Sequence, residues 1–288
     1  MKEFLPSELV ITPNGEIYHL GIRPEHLAKK IIIVGDQNRV ETISSYFDSI
    51  SHKSSQREFV CHTGVYKGKE LSIISTGIGT DNLDIVINEL DALVNIDLNN
   101  RQEKEEKTSL EIVRLGTCGI LQDEIPVDSF ILSTYALGID NVAHFYKREV
   151  DKETEELLEQ INSSVQLPKY IHPYLTKASA KLNSRLEGPQ IKQGITVTSS
   201  GFYGPQGRKL RLPIAAEDML DSFHDFSYKE HRFANLEMEC SSFFALASAL
   251  GHEATGICLG LANRRKKKFT ENYKTKIAEL IEYVLEKI

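Results

Sequence analysis

The chain has 288 residues, of which 41% are apolar, and it carries a formal charge of −7. That is enough apolar material for one large core, and an acidic balance without excess lysine and arginine excludes a general binder of nucleic acid or of anionic membrane surfaces. No apolar run approaches the ~18 residues needed to span a bilayer, so a cytoplasmic protein acting on a small molecule is expected.

In chain order, β-branched runs alternate with amphipathic stretches. Strands are predicted at "IIIV" (31–34), "LSIIST" (71–76), "EIVRL" (111–115), "SFILS" (129–133), "GITVTSS" (194–200) and "ATGICLGL" (254–261). Ile85, Ile87, Leu90, Leu93 and Val94 mark a helix after the second run. Met238, Phe243, Phe244, Leu246, Ala247 and Leu250 mark another before the last run, and Tyr273, Ile277, Leu280, Ile281, Val284 and Ile288 a third that closes the chain. Near-continuous apolar strands separated by helices imply an α/β fold: a central, mixed, largely buried sheet flanked by helices. Residues 99–109, "NNRQEKEEKTS", read as a solvated extension without chemistry. No repeat and no Pro- or Gly-rich linker divides the chain, so residues 1–288 are expected to form a single domain.

Glycines cluster where these strands stop: Gly35, Gly77, Gly79, Gly116 and Gly119. Ligands of open α/β sheets bind at strand carboxyl ends, and glycine lets backbone N–H groups approach an anion. "GIGTDN" and "GTCG" lack the Gly-Lys-Ser/Thr ending of a phosphate loop, and no GxGxxG is present, so ATP and dinucleotide readings both weaken. Arg39 and Arg114 accompany the glycines. Arginine's planar fork fits the paired oxygens of a phosphate, or equally a carboxylate at the sheet edge, and an arginine inside the apolar strand "EIVRL" needs one or the other.

Cys61, Cys118, Cys240 and Cys258 lie far apart without a CxxC pair, which suggests reduced thiols rather than disulfides or zinc. No metal and no organic cofactor is expected.

Eight fragments in order, "YHLGI" (18–22), "GDQNRV" (35–40), "REF" (57–59), "STGIG" (75–79), "RLGTCG" (114–119), "SSGFYGPQGR" (199–208), "NLEMEC" (235–240) and "ANR" (262–264), resemble the nucleoside phosphorylases of the uridine phosphorylase type along nearly the whole chain. The resemblance implies that inorganic phosphate, a co-substrate, attacks the anomeric carbon of a nucleoside to give ribose 1-phosphate and free base. It implies a phosphate site of Gly35, Arg39, Arg114 and Thr117, with Arg57 reaching in from a neighbouring subunit. It also implies a nucleoside site. Glu239 and Met238, with Glu237 as a further candidate, would hold the ribose, and His19 would cap the 5′-hydroxyl across a dimer interface. Gln206 and Arg208 would read uracil, Gln206 by accepting from N3–H and donating to a carbonyl, and Phe202 would wall the base. Arg114, Arg208 and Glu239 are the implied catalytic residues. A homo-oligomer follows, at least a dimer and by resemblance a hexamer built as a trimer of dimers.

Two departures stand out. Thr80-Asp81-Asn82 replaces the family's usual Gly-Pro-Ser, which bears on the monovalent cation sometimes held beside Glu58, and "YGPQG" permutes the usual Tyr-Pro-Gly-Gln. Competing readings are a purine nucleoside phosphorylase, a hydrolytic nucleosidase of the same fold and a nucleoside-binding protein without turnover. "GLANRR" (260–265) lacks the carboxylic acid that protonates a purine, which favours pyrimidines.

Overall fold

The structure, a computed structural model, describes residues 3–288; Met1 and Lys2, at the start of the expected domain, lie outside the described residues. Thirteen strands and seven α-helices follow in order: β1 Lys30–Val34, α1 Gln37–Ser44, β2 Ser49–Gln56, β3 Phe59–Tyr66, β4 Lys69–Ser75, α2 Thr80–Asn95, β5 Ile96–Asp97, β6 Gln102–Glu103, β7 Glu111–Ile120 and β8 Phe130–Gly138. The second half contains α3 Lys152–Ser164, β9 Tyr174–Lys177, α4 Ala180–Leu186, β10 Ile191–Thr198, α5 Met219–Asp225, β11 Phe233–Glu237, α6 Cys240–Ala249, β12 Glu253–Asn263, β13 Lys268–Phe269 and α7 Tyr273–Lys287.

Eleven strands form one mixed sheet, in keeping with the expected α/β architecture. Part of it closes on itself. β12 runs parallel to β7 and antiparallel to β8, β8 pairs parallel with β10, β10 parallel with β11, and β11 returns antiparallel to the end of β7. From β7 an open wing continues through β1, β4, β3 and β2. One edge of β7 therefore has two partners in turn: β1 as far as Arg114, opposite Ile33, and β11 only from Gly119, opposite Leu236. Between them Leu115 to Cys118 have no strand partner on that edge. This change of partner opens a cleft at the carboxyl ends of β1 and β11, as open α/β sheets do at their switch points.

The alternation of β1 explains the layering. Ile31 and Ile33 face a core shared with α2 and α6, through Leu83, Ile87, Leu90, Phe243 and Phe244, while Ile32 and Val34 face one shared with α1, α4 and α7. α6 is buried almost all round, from Cys240 to Ala247: its large side chains are apolar, and the buried Ser241 and Ser242 hydroxyls donate to Asp140 and to the Glu239 carbonyl. On α7, Leu280, Ile281 and Val284 are completely buried, each side chain contributing roughly 1.5–3 kcal/mol.

The expected strands are present but longer: the runs at 111–115 and 129–133 extend to Ile120 and Gly138. β2, β3, β5, β6, β9, β11 and β13, and helices α1 and α3 to α5, come in addition. The charged segment 99–109, expected to be a solvated extension, includes one short strand, with Gln102 and Glu103 paired antiparallel to Asp97 and Ile96. Most of its side chains are exposed.

Candidate active site

Arg114 sits at the middle of β7, 6% exposed, at the floor of a cleft of about 740 Å³. Its guanidinium lies over Gly116, two residues on along the same face of the strand, where a Cβ would collide with it. Nη2 pairs with Glu239, Nη1 lies 3.4 Å from Glu237 and 3.3 Å from the Cys258 thiol. Of the two partners left open for this arginine, the chain itself supplies the carboxylate. Burial works against the charge, but Glu239 and then Glu237 outweigh it and raise the guanidinium's pKa further.

The two glutamates have different surroundings. Glu239 also accepts the Gly79 N–H at 2.8 Å, so it ties α2's first turn to β7. Glu237 lines the cleft, yet its carboxylate turns to the start of α6: it accepts from Thr198 Oγ1 at 2.6 Å, from the Glu239 N–H at 2.9 Å and from the Cys240 N–H at 3.0 Å. Those bonds satisfy donors that open the helix, where negative charge is favoured. Burial nevertheless pushes the Glu237 carboxyl above its ordinary range, with Arg114 opposing.

Gly35, Arg39 and Thr117 line the same cleft. Arg39 stands in the first turn of α1, whose cap Asp36 accepts the Asn38 N–H, and its Nη2 donates to the Tyr273 hydroxyl at 2.9 Å. Its Nη1 reaches the Leu115 carbonyl at 3.4 Å, in the stretch of β7 between its pairing with β1 and its pairing with β11.

Residues 199–208 form another part of the wall. A turn at Gly204–Gln206 ends on Gly207 in the left-handed conformation, φ +65°, which a side chain rarely adopts. The turn buries Gln206. Its amide N–H₂ donates to Ser199 Oγ at 2.9 Å and to the Glu237 carbonyl at 3.5 Å, while its carbonyl accepts from Arg208. The expectation that Gln206 both accepts from and donates to a base is thereby narrowed: the donor half is engaged within the chain, and the carbonyl keeps a lone pair for a ligand N–H. Arg208 stacks on the Phe202 ring at 3.7 Å and donates to the Phe202 carbonyl at 2.6 Å. Burial, with Arg264 nearby, lowers its pKa from the ordinary guanidinium value.

Met238 completes the expected residues that line the cleft. Arg57 and His19 do not. Arg57, in the turn between β2 and β3 with φ +54°, lies 5.8 Å over the ring of Tyr18, and the Tyr18 carbonyl accepts from Gln56. Next to it His19 Nδ1 meets Glu89 Oε1 at 2.6 Å, and the Leu20 N–H donates to the same carboxylate at 2.9 Å. These two expected site residues thus share a cluster of their own, beside the cleft.

Sequence reading missed Phe269, Asn82 and Cys118 in the lining and Tyr273 behind Arg39. Phe269 follows directly on the basic run 264–268, and an aromatic closing a run of charges is a signal the sequence does offer; in the structure it ends β13, 67% exposed. Tyr273 carries none, because a hydroxyl at the start of an amphipathic helix looks like any other helix residue. All four cysteines are buried free thiols. Among the described residues no group of three or more His, Cys, Asp and Glu is placed to hold a metal ion.

Comparison with known proteins adds an independent line. Residues 29–286 match the sequence profile of the Phosphorylase superfamily. The crystal structure of a nucleoside phosphorylase from Trypanosoma brucei, described as showing uridine phosphorylase activity, superposes with a TM-score of 0.90 at 30% identity, over 96% of this chain and 98% of that one. A uridine phosphorylase of Thermococcus kodakarensis is 28% identical over 272 residues, 93% of this chain and 85% of that protein. A DeoD-type purine nucleoside phosphorylase of Geobacillus stearothermophilus is 22% identical over 272 residues, 93% of this chain and 97% of that protein. Strands that change partners around a buried arginine, a glutamate beside it and an arginine-glutamine wall are thus arranged on a shared fold, and the chain belongs to the phosphorylase superfamily, as a pentosyltransferase of the nucleoside phosphorylase kind.

Proposed function

We propose that the chain is a uridine phosphorylase, converting uridine and inorganic phosphate to uracil and ribose 1-phosphate. The observation that carries this reading is the Gln206–Arg208 pair, held in the same cleft as Gly35, Arg39, Thr117 and Arg114. A phosphate oxygen attacks C1′ as the bond to N1 breaks, and the electron pair leaves with the base. The Gln206 carbonyl accepts N3–H. Charge spreading onto the uracil carbonyls meets the Arg208 guanidinium, whose N–H groups other than Nη1 make no hydrogen bond among the described residues. Glu239 accepts from the ribose hydroxyls and faces the positive charge that develops at C1′, with Met238 as an apolar contact. Arg114 uses most of its charge on Glu239 and Glu237, which fixes Glu239 under the ribose, and we assign its remaining N–H groups to the phosphate.

The similarity to DeoD-type enzymes favours a purine nucleoside as the second reading. Asn263, in the segment where a purine enzyme carries its acid, is buried and donates to the Gln122 and Ile125 carbonyls, which supports the pyrimidine reading. Arg57 and His19 are assigned to a neighbour's site, which makes a twofold dimer the smallest active unit and a ring of three dimers the proposed assembly. No metal or organic cofactor is invoked. No helix among the described residues is long and apolar enough to cross a membrane, and we place the enzyme in the cytoplasm.

The test is a panel of uridine, thymidine, inosine and adenosine, each with and without phosphate. Phosphate-dependent release of uracil, without added metal, is the expected result. Equal turnover in phosphate-free buffer would identify a hydrolase, and preference for inosine or adenosine a purine enzyme.

A further inference from the structure

Two arginines meet in this cleft, and their partners differ in charge. Arg114 is held by two carboxylates. Arg39, half-buried in the first turn of α1, is held among the described residues by neutral acceptors: the Tyr273 hydroxyl at 2.9 Å and, more weakly, the Leu115 carbonyl at 3.4 Å. A carboxylate partner would cancel much of the guanidinium's attraction for an anion, whereas a hydroxyl fixes its direction and leaves the charge intact. Arginine also loses considerable side-chain freedom when it is ordered, so a partner that orders it beforehand lowers the entropy cost of binding.

Tyr273 is suited to that task. It is the first residue of α7, its ring packs partly buried against the core formed by α1, α4 and α7, and its hydroxyl emerges toward α1. The tyrosine is outside the cleft lining, and among the described residues its hydroxyl is bonded to one lining residue, Arg39.

We infer that Tyr273 is a positioning residue for phosphate: its hydroxyl sets the Arg39 guanidinium toward the anion while keeping its full charge available. The inference rests on the proposed phosphorolysis and on Arg39 as a phosphate ligand, and it assigns to the C-terminal helix a part in the affinity for the anion.

The test compares wild type with Tyr273→Phe, which keeps the ring in the core and removes only the hydroxyl, and with Arg39→Met and the double variant. In Tyr273→Phe, KM for phosphate should rise roughly tenfold, the scale of a lost hydrogen bond to a charged group, while KM for uridine stays within about twofold. In the reverse direction KM for ribose 1-phosphate should rise and that for uracil should not. Arg39→Met should raise KM for phosphate further, and adding Tyr273→Phe to it should change nothing more, because the hydroxyl then has no guanidinium to hold. A tyrosine that served only the packing of α7 would move both substrates or neither, and its effect would add to that of Arg39→Met. Either result overturns the assignment. Wild-type turnover independent of phosphate would instead overturn the proposed function and this inference with it, whereas a phosphate-dependent wild type with an unaltered Tyr273→Phe overturns the inference alone.

Discussion

At the floor of the cleft, Arg114, Glu237 and Glu239 are each less than a tenth exposed, stand on a strand or just after one, and use their charges on one another. In the segment 199–208, Phe202 is 50% exposed, Arg208 lies on irregular chain after a single tight turn, and among the described residues its side chain is partnered by an amide carbonyl, a backbone carbonyl and an aromatic face. The first arrangement has few ways to change without losing its shape. The second can be altered residue by residue, because little of the core depends on it. Groups at the reacting carbon need a geometry that does not vary, while groups that recognise a base define which base is accepted, and the fold separates the two tasks by placing one on strands and the other on a loop.

The strongest way to break that contrast is Arg114→Met. It leaves two buried carboxylates facing each other without their cation, so stability should fall by about 3–5 kcal/mol and kcat by at least about 10³-fold. Urea denaturation and steady-state kinetics on the same preparation would check both. A variant that lost activity but kept its stability would mean that the floor is less integral to the fold than its burial implies. Arg114→Lys should not restore activity, since a point charge cannot bridge two carboxylates as a planar fork does.

Smaller and more selective losses are expected in the loop. Arg208→Met removes the charge that meets the leaving base, so kcat for uridine should fall by roughly 10²-fold while stability moves by no more than about 0.5 kcal/mol. With 5-fluorouridine, whose base leaves more easily as an anion, the loss should shrink. Gln206→Ala removes the acceptor for N3–H, a loss of roughly 1–3 kcal/mol in binding that should be the same for both nucleosides. Equal losses across the two substrates for Arg208→Met would remove it from the leaving group.

The smallest effect separates the forces acting on Glu237. Burial raises its carboxyl above the ordinary value of 4.5 and Arg114 lowers it. With burial dominant, the folded protein keeps its proton to higher pH than the unfolded chain. The stability difference between wild type and Glu237→Gln should then fall as pH rises from about 4.5 through the folded pKa, and level off above it. Urea unfolding of both proteins between pH 4.5 and 7.5 measures this. A difference that grows with pH would show that the pairing with Arg114 outweighs burial.

Much of the floor was legible in one dimension. "EIVRLGTCG" announces a strand that carries a charge into a glycine turn, and "NLEMEC" announces carboxylates before an apolar helix. That the two meet was not legible, because Glu237 and Glu239 come from a distant strand end and nothing local says which of them turns to the helix. The strongly apolar strands β1, β4 and β12 were found. β2 was not: "SISHKSSQ" is a polar strand at the sheet's edge, with few apolar positions to betray it. α3 was missed for a related reason, since only Thr154, Leu157 and Ile161 of its thirteen residues are buried, although Asp151 caps it. The resemblance gave Arg57 to a neighbour's phosphate and His19 to a 5′-hydroxyl across a dimer interface, and both residues lie outside the lining of the chain's own cleft; local sequence alone carries no sign of either task.

The ring of strands has a consequence for how the protein is made. β7 is synthesised well before β12, the strand that covers its edge opposite β1. Until it arrives, β7 and β8 both present unpaired backbone to their surroundings, the condition under which partly folded chains pair with one another. The contacts that complete the ring are far apart in sequence, so closure is expected to be slow relative to the formation of the local helices. A ribosome-bound fragment ending before residue 253 would contain Arg114, Glu237 and Glu239 together with the whole base-reading loop, and still have no finished floor.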